Sequence, residues 1–189
     1  MASFLVVYGT GEGQTASVAA RIGETLAERG HEVTTVDVEE AAADALVDGF
    51  DAALIGSSIH GGRHHAGIRA LIERERTALA TRPTALFQLS LSSAVDDERR
   101  RAEAAKYVDD LLEATGWDPD RIGLFGGALR YSKYGFLKRI VMKRIAAGAT
   151  GDVDTSRDHE YTDWAEVEAF TADFAAFVEG RLKERRTGE

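Results

Sequence analysis

A turn rich in glycine and hydroxyl groups follows the first apolar run of the chain. Residues 4–7 read FLVV, and residues 8–15 read YGTGEGQT before a helix-like segment. Gly9, Gly11 and Gly13 alternate, so they do not form the G-x-G-x-x-G turn of dinucleotide sites, and the Lys-Ser/Thr pair of a Walker loop is missing. Hydroxyls and free backbone N–H groups at a helix N-terminus indicate a site for a single phosphate group.

Three later loops have a similar composition. Residues 56–62 read GSSIHGG, residues 90–93 read SLSS, and residues 126–131 read GGALRY. Each follows an apolar run, and ligands of doubly wound sheets bind beyond the carboxyl ends of the strands, where such loops converge. Small residues let the backbone approach a planar ligand, and hydroxyls bind phosphate and ribityl oxygens. The four loops therefore predict one site for a planar, phosphorylated ligand.

Alternating strand-like and helix-like segments must position these loops. Such alternation predicts an α/β fold whose parallel sheet is covered by helices on both faces. A single domain of residues 1–182 is predicted, with a frayed tail of residues 183–189, because the length suits one core and no linker interrupts it. The predicted strands are residues 4–8, 32–38, 52–56, 84–91 and 122–129, and the predicted helices are 14–29, about 65–79, 96–115 and 163–182.

Composition removes several classes of function. The absence of cysteine excludes disulfides, thiol catalysis and cysteine-bound metals, and the net charge of −9 argues against nucleic-acid binding. No stretch approaches the ~20 apolar residues that span a bilayer. The first residues lack the basic region and the long apolar run of a signal peptide, so a cytoplasmic location is expected.

A basic insert of about residues 130–161 breaks the alternation before the last helix, and connections of that length are usually functional or disordered. If the insert forms a helix, most of the basic residues in its middle lie on the side opposite its apolar residues. Such a helix could bind an anionic membrane or an anionic substrate, or it could simply pack on its own domain. The same alternatives hold for Tyr131. Residues 122–151 contain no acidic residue and six basic ones, which are Arg130, Lys133, Lys138, Arg139, Lys143 and Arg144.

Three histidines, His60, His64 and His65, cluster after the third predicted strand. Without a nearby carboxylate they make a poor metal cage, so no metal is predicted. They form either a polar rim of the ligand pocket or part of an exposed loop. The sequence shows no Ser-His-Asp arrangement and no paired catalytic carboxylates with a defined spacing.

Four motifs, GQT, GSSIHGGRHHAG, GGALRY and YTDW, together resemble one family over nearly the whole chain. This is the flavodoxin-like, menaquinone-dependent protoporphyrinogen IX dehydrogenase family of bacterial haem synthesis. The resemblance implies a five-stranded parallel sheet in the order 2-1-3-4-5, with the basic insert after strand 5. It also implies FMN as the cofactor, protoporphyrinogen IX as the donor and menaquinone or another membrane quinone as the acceptor. The oligomeric state stays open.

The resemblance also implies roles for particular residues, with the flavin itself carrying the redox chemistry. The basic residues of the insert and Tyr131 would contact the substrate or the anionic inner face of the cell membrane. The residues that would hold the FMN phosphate are Thr10, Gly11, Glu12, Gly13, Gln14 and Thr15. Those that would flank the ribityl chain and the isoalloxazine ring are Ser57, Ser58, Ile59, His60, Gly61, Gly62, Ser90, Leu91, Ser92 and Ser93.

Three alternatives to this enzyme remain open. The first is an electron carrier between proteins, against which the basic insert argues because such carriers have an acidic rim. The second is an FMN-dependent quinone reductase with a different donor. The third is a module that has lost its flavin, against which Thr10, Gln14 and Thr15 argue.

Overall fold

A parallel sheet forms the centre of the computed structural model, which describes residues 1–41, 46–94, 98–129 and 159–187. Its parallel strands lie in the order β2-β1-β3-β5-β6, which is the predicted order 2-1-3-4-5 once the short antiparallel strand β4 is left out of the count. The strands are β1 (Ser3–Gly9), β2 (Glu32–Asp37), β3 (Ala52–His60), β4 (Arg63–His64), β5 (Thr84–Ser90), β6 (Arg121–Gly126), β7 (Ala128–Leu129) and β8 (His159–Glu160). The helices are α1 (Gln14–Glu28), α2 (Ala66–Leu79), α3 (Glu98–Thr115) and α4 (Trp164–Thr187), with a 3₁₀ turn at Ser92–Ala94.

Both faces of the sheet are buried, which explains why its central strands read as continuous apolar runs. Successive side chains of a strand point to opposite faces. In β1, Phe4 and Val6 pack in the core beneath α1 and α4, whereas Leu5 and Val7 pack in the core beneath α2 and α3. All four side chains are fully buried. The predicted helices on both faces are thus confirmed.

Strand β3 is longer than the prediction, which ended it at residue 56. It continues to His60, reverses through Gly61 and Gly62, and returns as β4. The two glycines have φ angles of 58° and 74°, as the two-residue turn of a tight hairpin requires. Ser57 and Ser58 resembled turn residues, yet they lie buried within the strand.

The single strand predicted over residues 122–129 divides in two. Strand β6 ends at Gly126, and β7 pairs antiparallel with β8, which lies just before the YTDW motif. Gly126 is packed so closely against the Tyr161 carbonyl oxygen that an added Cβ would overlap it. The end of β6 is therefore in direct contact with the segment that precedes α4, which lies much later in the sequence.

The last helix is also longer than predicted. Helix α4 continues to Thr187, five residues beyond the predicted end at residue 182, and takes in most of the tail of residues 183–189 that was expected to fray. The first described residue of α3 is Glu98, so the predicted start at residue 96 lies outside the described residues. The same holds for residues 130–158 of the insert, and hence for Arg130, Tyr131, Lys133, Lys138, Arg139, Lys143 and Arg144.

Candidate functional site

Backbone hydrogen bonds join the ends of β5 and β6 to the YTDW segment. The Gly127 amide donates to the Ser90 carbonyl at 3.1 Å, and the Tyr161 amide donates to the Gly127 carbonyl at 3.1 Å. Gly127 thus lies between the SLSS loop and the start of the YTDW motif. Two of the predicted site loops therefore meet at the carboxyl edge of the sheet.

A chain of side-chain hydrogen bonds connects the first loop to the same place. Gln14 Nε2 donates to Thr162 Oγ1 at 2.9 Å, and Thr162 Oγ1 donates to the Gly126 carbonyl at 2.8 Å. Gln14 is only 4% exposed. Its side-chain amide therefore fixes the loop within the protein, and Thr162 becomes a site residue that the sequence interpretation did not select. The GQT, GGALRY and YTDW motifs meet through this one hydroxyl group.

The first loop leaves the N-terminus of α1 open to an anion. Gly13 stands at the N-cap with φ 96° and no side chain caps the helix, whose first turn contains no acidic residue. Thr10 Oγ1 accepts from the Gly13 amide at 2.9 Å, which holds the turn closed. Thr15 is 1% exposed, and its hydroxyl has no hydrogen-bond partner among the described residues. Amides, a hydroxyl and the positive end of a helix dipole together favour a phosphate group.

The second loop forms a hairpin, and Ser57 in it makes hydrogen bonds to backbone groups of the same loop. Ser57 Oγ accepts from the His65 amide at 2.9 Å and donates to the Ser58 carbonyl at 3.1 Å. Ser58 Oγ is buried and has no hydrogen-bond partner among the described residues. Such an atom is costly to bury alone, and a polar group of a ligand at this edge would satisfy it. Ile59 is half-buried and Gly61 and Gly62 are exposed.

The three histidines point to different neighbours. The His60 ring lies against Gly11 of the first loop, and the His65 ring lies against Gly9, since a Cβ on either glycine would overlap the imidazole. His65 also caps α2 by accepting from the Gly67 amide at 3.3 Å. No group of three or more His, Asp or Glu side chains within the described part of the chain is arranged to hold a metal ion.

His64 faces the opposite side of the hairpin. Its Nε2 is buried without a hydrogen bond among the described residues, as is the Oε1 atom of Gln88. Burial lowers the pKa of His64 to about 4 from its ordinary value of 6.5, while its interactions with Gln88 and Asp110 favour the protonated form and offset part of that effect. His64 is therefore neutral at physiological pH.

The loop after β5 is tied to helix α3. Ser90 Oγ and Ser93 Oγ lie 2.8 Å apart, and Leu91 between them is half-buried. Ser92 Oγ donates to Glu103 Oε2 at 2.7 Å, and this hydrogen bond is the main cause of the lowered pKa of Glu103. The sequence interpretation did not select Glu103 either, because the sequence does not distinguish it from other charged residues on a polar helix. Its carboxylate holds the loop after β5 against α3.

A cavity of about 520 Å³ lies behind the β3–β4 hairpin, between α2 and α3. Gly62, His64, Tyr107 and Leu111 are among its lining residues. The Tyr107 hydroxyl donates a hydrogen bond to Glu103 Oε1 at 3.0 Å. The cavity wall therefore contacts the same carboxylate that holds the SLSS loop. The cavity thus borders the hairpin loop, and within the described residues it is linked to the loop after β5 only through Tyr107 and Glu103.

The comparisons with known proteins agree with this geometry. The sequence profile of the flavodoxin domain family matches residues 5–156. The protoporphyrinogen IX dehydrogenase (quinone) of Escherichia coli K12 is 29% identical over 171 residues, which cover 90% of this chain and 93% of that protein. The protein of that name from Leishmania major is 30% identical over 173 residues, 91% of this chain and 74% of its own length.

The chain belongs to the flavodoxin domain family, and within it to the family of these dehydrogenases. The solved structure of a flavodoxin from the domain Archaea superposes on this flavodoxin domain with a TM-score of 0.54 at 17% identity, covering 94% of this chain and 99% of that one. The likeness confirms the flavodoxin-like fold. The family is one of oxidoreductases, and FMN is the cofactor of the chain.

The residues of this flavodoxin domain fit FMN. The uncapped N-terminus of α1 and the Thr15 hydroxyl suit the phosphate, and the buried, unpartnered Ser58 Oγ suits a polar group of the flavin. Within the described residues no helix is long and apolar enough to cross a membrane.

Proposed function

We propose that this flavodoxin domain oxidises protoporphyrinogen IX to protoporphyrin IX and passes the electrons to a membrane quinone, menaquinone being the expected one, in haem biosynthesis. Bound FMN supplies the redox chemistry, and the chain binds and orients the reactants. The observation that carries the proposal is the Gln14–Thr162–Gly126 hydrogen-bond chain. It makes a single unit of the phosphate loop and of GGALRY and YTDW, two of the motifs that carry the family resemblance.

The family relationship supports the reaction and the site supports the cofactor. The relatives in Escherichia coli and Leishmania major carry the name protoporphyrinogen IX dehydrogenase (quinone), and the alignment with each covers at least 90% of this chain. Within the site, Thr10, Thr15 and the α1 N-terminus would hold the FMN phosphate. Residues 57–62 and 90–93 would flank the ribityl chain and the ring.

The basic insert supports a peripheral position on the inner face of the cell membrane. Residues 122–151 contain six basic residues and no acidic one, although the whole chain has a net charge of −9. Near an anionic bilayer each basic residue adds about 1 kcal/mol of attraction. The quinone is dissolved in that bilayer, so attraction of the insert would bring the flavin close to its electron acceptor.

The direct test is anaerobic turnover by the full chain loaded with FMN. Protoporphyrinogen IX and a menaquinone analogue are added together, and porphyrin formation is followed by its fluorescence. The proposal predicts porphyrin only when the protein, the flavin and the quinone are all present. If photoreduced flavin is reoxidised by the quinone while no porphyrin forms, the chain is a quinone reductase with a different donor. If neither reaction occurs, it is an electron carrier between proteins.

A further inference from the structure

We infer that Glu103 and Tyr107 of α3 are positioning residues of the flavin site. Glu103 ties the loop after β5 to the helix, and Tyr107 supports the tip of the β3–β4 hairpin. These are the two loops that would flank the isoalloxazine ring of FMN. The inference rests on the FMN site of the proposed function and is independent of the electron donor and of the quinone. It gives α3 a task that the sequence interpretation did not assign to any residue of that helix.

The order of the strands brings the ring of FMN towards these two loops. The order reverses between β1 and β3, and ligands of such sheets bind in the crevice beyond the strand ends at that point. The phosphate would lie at the loop after β1, and the ribityl chain separates the phosphate from the ring. Neighbouring strands are about 4.8 Å apart, so β5 lies roughly 10 Å from β1. The ring would therefore extend over the ends of β3 and β5.

The carboxylate of Glu103 accepts hydrogen bonds from three side chains. Ser92 Oγ donates to Oε2 at 2.7 Å, and Arg100 Nη1 donates to the same oxygen at 3.1 Å. The Tyr107 hydroxyl donates to Oε1 at 3.0 Å. Hydrogen bonds to an ionised acceptor are stronger than those between neutral groups. Ser92 is buried and begins the turn that follows β5, so the carboxylate fixes this loop onto α3.

Hydrogen bonds also hold the other side of this loop. The Ser93 amide donates to Ser90 Oγ at 3.1 Å, and the Ser90 carbonyl accepts from the Gly127 amide at 3.1 Å. Ser90 is the last residue of β5, so this side of the loop is fixed by the sheet and by the turn itself. The bond from Ser92 to Glu103 adds the connection to α3. Its loss would therefore shift the loop without unfolding it.

Tyr107 connects the same carboxylate to the hairpin. It follows Glu103 by four residues in α3, so the two side chains lie on the same face of the helix. A Cβ on Gly62 would lie 3.8 Å from Tyr107 Cε1, which is an ordinary contact distance. Gly62 belongs to the turn between β3 and β4. The Tyr107 ring therefore supports the tip of the hairpin, while its hydroxyl binds the carboxylate that holds Ser92. Together the two residues set the separation of the two loops.

The test measures how the protein holds the ring of the flavin. Apoprotein of the full chain is titrated with FMN and with riboflavin, which is FMN without its phosphate, and binding is followed by quenching of flavin fluorescence. Glu103→Gln keeps the size of the side chain but removes its charge and one of its two acceptor oxygens. The Kd values for both flavins should rise by the same factor, roughly three- to tenfold, because the displaced loop would contact the ring rather than the phosphate.

Ser92→Ala breaks the same hydrogen bond from the side of the loop. It should raise both Kd values by a factor similar to that of Glu103→Gln. In the double variant the two losses should not add, because both changes remove one and the same contact. Tyr107→Phe removes a second donor to Glu103 but keeps the ring beside Gly62, so it should show part of the effect.

Asp110→Asn is the matched control, because it neutralises another carboxylate of α3. Asp110 is exposed and accepts from Lys106 Nζ at 2.9 Å. Its replacement should leave both Kd values unchanged. The visible circular dichroism of bound FMN supplies a readout that a loss of stability alone would not alter. The spectrum should differ from that of the wild type in Glu103→Gln and in Ser92→Ala, because the surroundings of the ring have moved, and it should not differ in Asp110→Asn.

Three results would overturn the positioning role. Unchanged Kd values and an unchanged spectrum in Glu103→Gln and Ser92→Ala would show that the ring does not depend on this network. A loss of affinity for FMN alone would place the effect at the phosphate. Additive losses in the double variant would show that Ser92 and Glu103 act separately. The titrations contain neither porphyrinogen nor quinone, so their failure is distinct from a failure of the proposed oxidation, which is measured by porphyrin formation.

Discussion

Gln14 and Thr162 lie 148 residues apart in the sequence and are joined by a 2.9 Å hydrogen bond from Gln14 Nε2 to Thr162 Oγ1. Thr162 Oγ1 in turn donates a hydrogen bond to the Gly126 carbonyl. The first residue of α1 is therefore fixed by the segment that leads into α4. The two helices also pack on the same face of the sheet, so this hydrogen bond closes the phosphate loop over a shared core.

Thr162→Val should loosen this connection without changing the size of the side chain. It removes the acceptor of Gln14 Nε2 and the donor to Gly126, which should lower the free energy of unfolding by about 1–2 kcal/mol. The Kd for FMN should also rise several-fold, because Gln14 is part of the phosphate loop. Urea unfolding and flavin titration measure the two effects.

Thr171→Val is the matched control for that variant. Thr171 is a fully buried threonine of α4 whose hydroxyl donates to the Val167 carbonyl at 2.7 Å within the helix. Its replacement should leave FMN affinity unchanged, whatever it does to stability. If both variants alter FMN affinity equally, the effect reflects general loosening of the domain rather than the Gln14–Thr162 contact.

Thr15→Val should weaken FMN binding by removing a hydroxyl from the phosphate site. A hydrogen bond to a charged group contributes roughly 1.5–3 kcal/mol, so the Kd should rise about ten- to hundredfold. The control is Thr25→Val in the same helix, whose hydroxyl donates to the Arg21 carbonyl at 2.9 Å, away from the loop. Titration of both apoproteins with FMN gives the comparison, and equal affinities would contradict the placement of the phosphate.

The layers of the sheet could be predicted from sequence because their physical signal is repeated along the chain. The central strands β1, β3 and β5 are apolar runs buried on both faces, and helical patterns follow them, so a parallel sheet between two helical layers follows from the alternation. The strand order 2-1-3-4-5 was implied by the family resemblance instead. The first loop was recognisable for a similar reason. Its glycines and threonines lie at the junction of β1 and α1, where a phosphate site has known requirements.

Features that depend on single contacts between distant residues could not be predicted in this way. Strands β7 and β8 have two residues each and pair across about 30 residues, which leaves no periodic pattern. Ser57 and Ser58 have the composition of a turn, and only burial against neighbouring strands reveals them as part of β3. Thr162 and Glu103 act through one hydroxyl and one carboxylate, whose partners become visible only in three dimensions.

Gly126→Ala should destabilise the domain because the backbone of Tyr161 packs directly against this glycine. The added Cβ would overlap the backbone carbonyl of Tyr161, which cannot turn aside as a flexible side chain would. Overpacking of this kind costs about 1–3 kcal/mol. Gly180→Ala is the control, since a Cβ there meets nothing within 4 Å and lies in α4. That variant should gain about 0.5–1 kcal/mol from helix propensity, and thermal unfolding distinguishes the two directions.

The basic insert should bind anionic membranes through its positive charge. Co-sedimentation of the FMN-loaded chain with vesicles containing anionic lipid should exceed that with neutral vesicles. It should also fall steeply as salt rises, because the attraction is screened over ~8–10 Å. Lys143→Ala combined with Arg144→Ala should reduce binding, whereas Arg130→Ala should leave it nearly intact and raise the KM for protoporphyrinogen. Equal binding to both kinds of vesicle would argue against a membrane role for the insert.

The last prediction concerns the pH dependence of stability, which should carry a contribution from His64. Burial lowers the pKa of its imidazole to about 4 in the folded chain, against an ordinary value of 6.5. Above pH 6.5 the ring is neutral in both the folded and the unfolded chain, so the contribution is complete. Between pH 6.5 and pH 4 only the unfolded chain takes up the proton, so stability falls as the pH falls. The loss amounts to about 3 kcal/mol in this window and stays constant at lower pH.

His64→Gln isolates this contribution, because glutamine does not titrate and its amide can remain near Gln88. The carboxylates of the chain, including Glu103 and Glu179 with their lowered pKa values, titrate in both proteins, so the difference between the two curves belongs to His64. Urea unfolding at several pH values from 7 to 4 gives the two free energies. The gap between wild type and variant should narrow or reverse as the pH falls, since only the wild type bears the cost of protonation. Parallel curves over that range would show that His64 titrates alike in the folded and unfolded chain, and hence that its ring is not buried against Gln88.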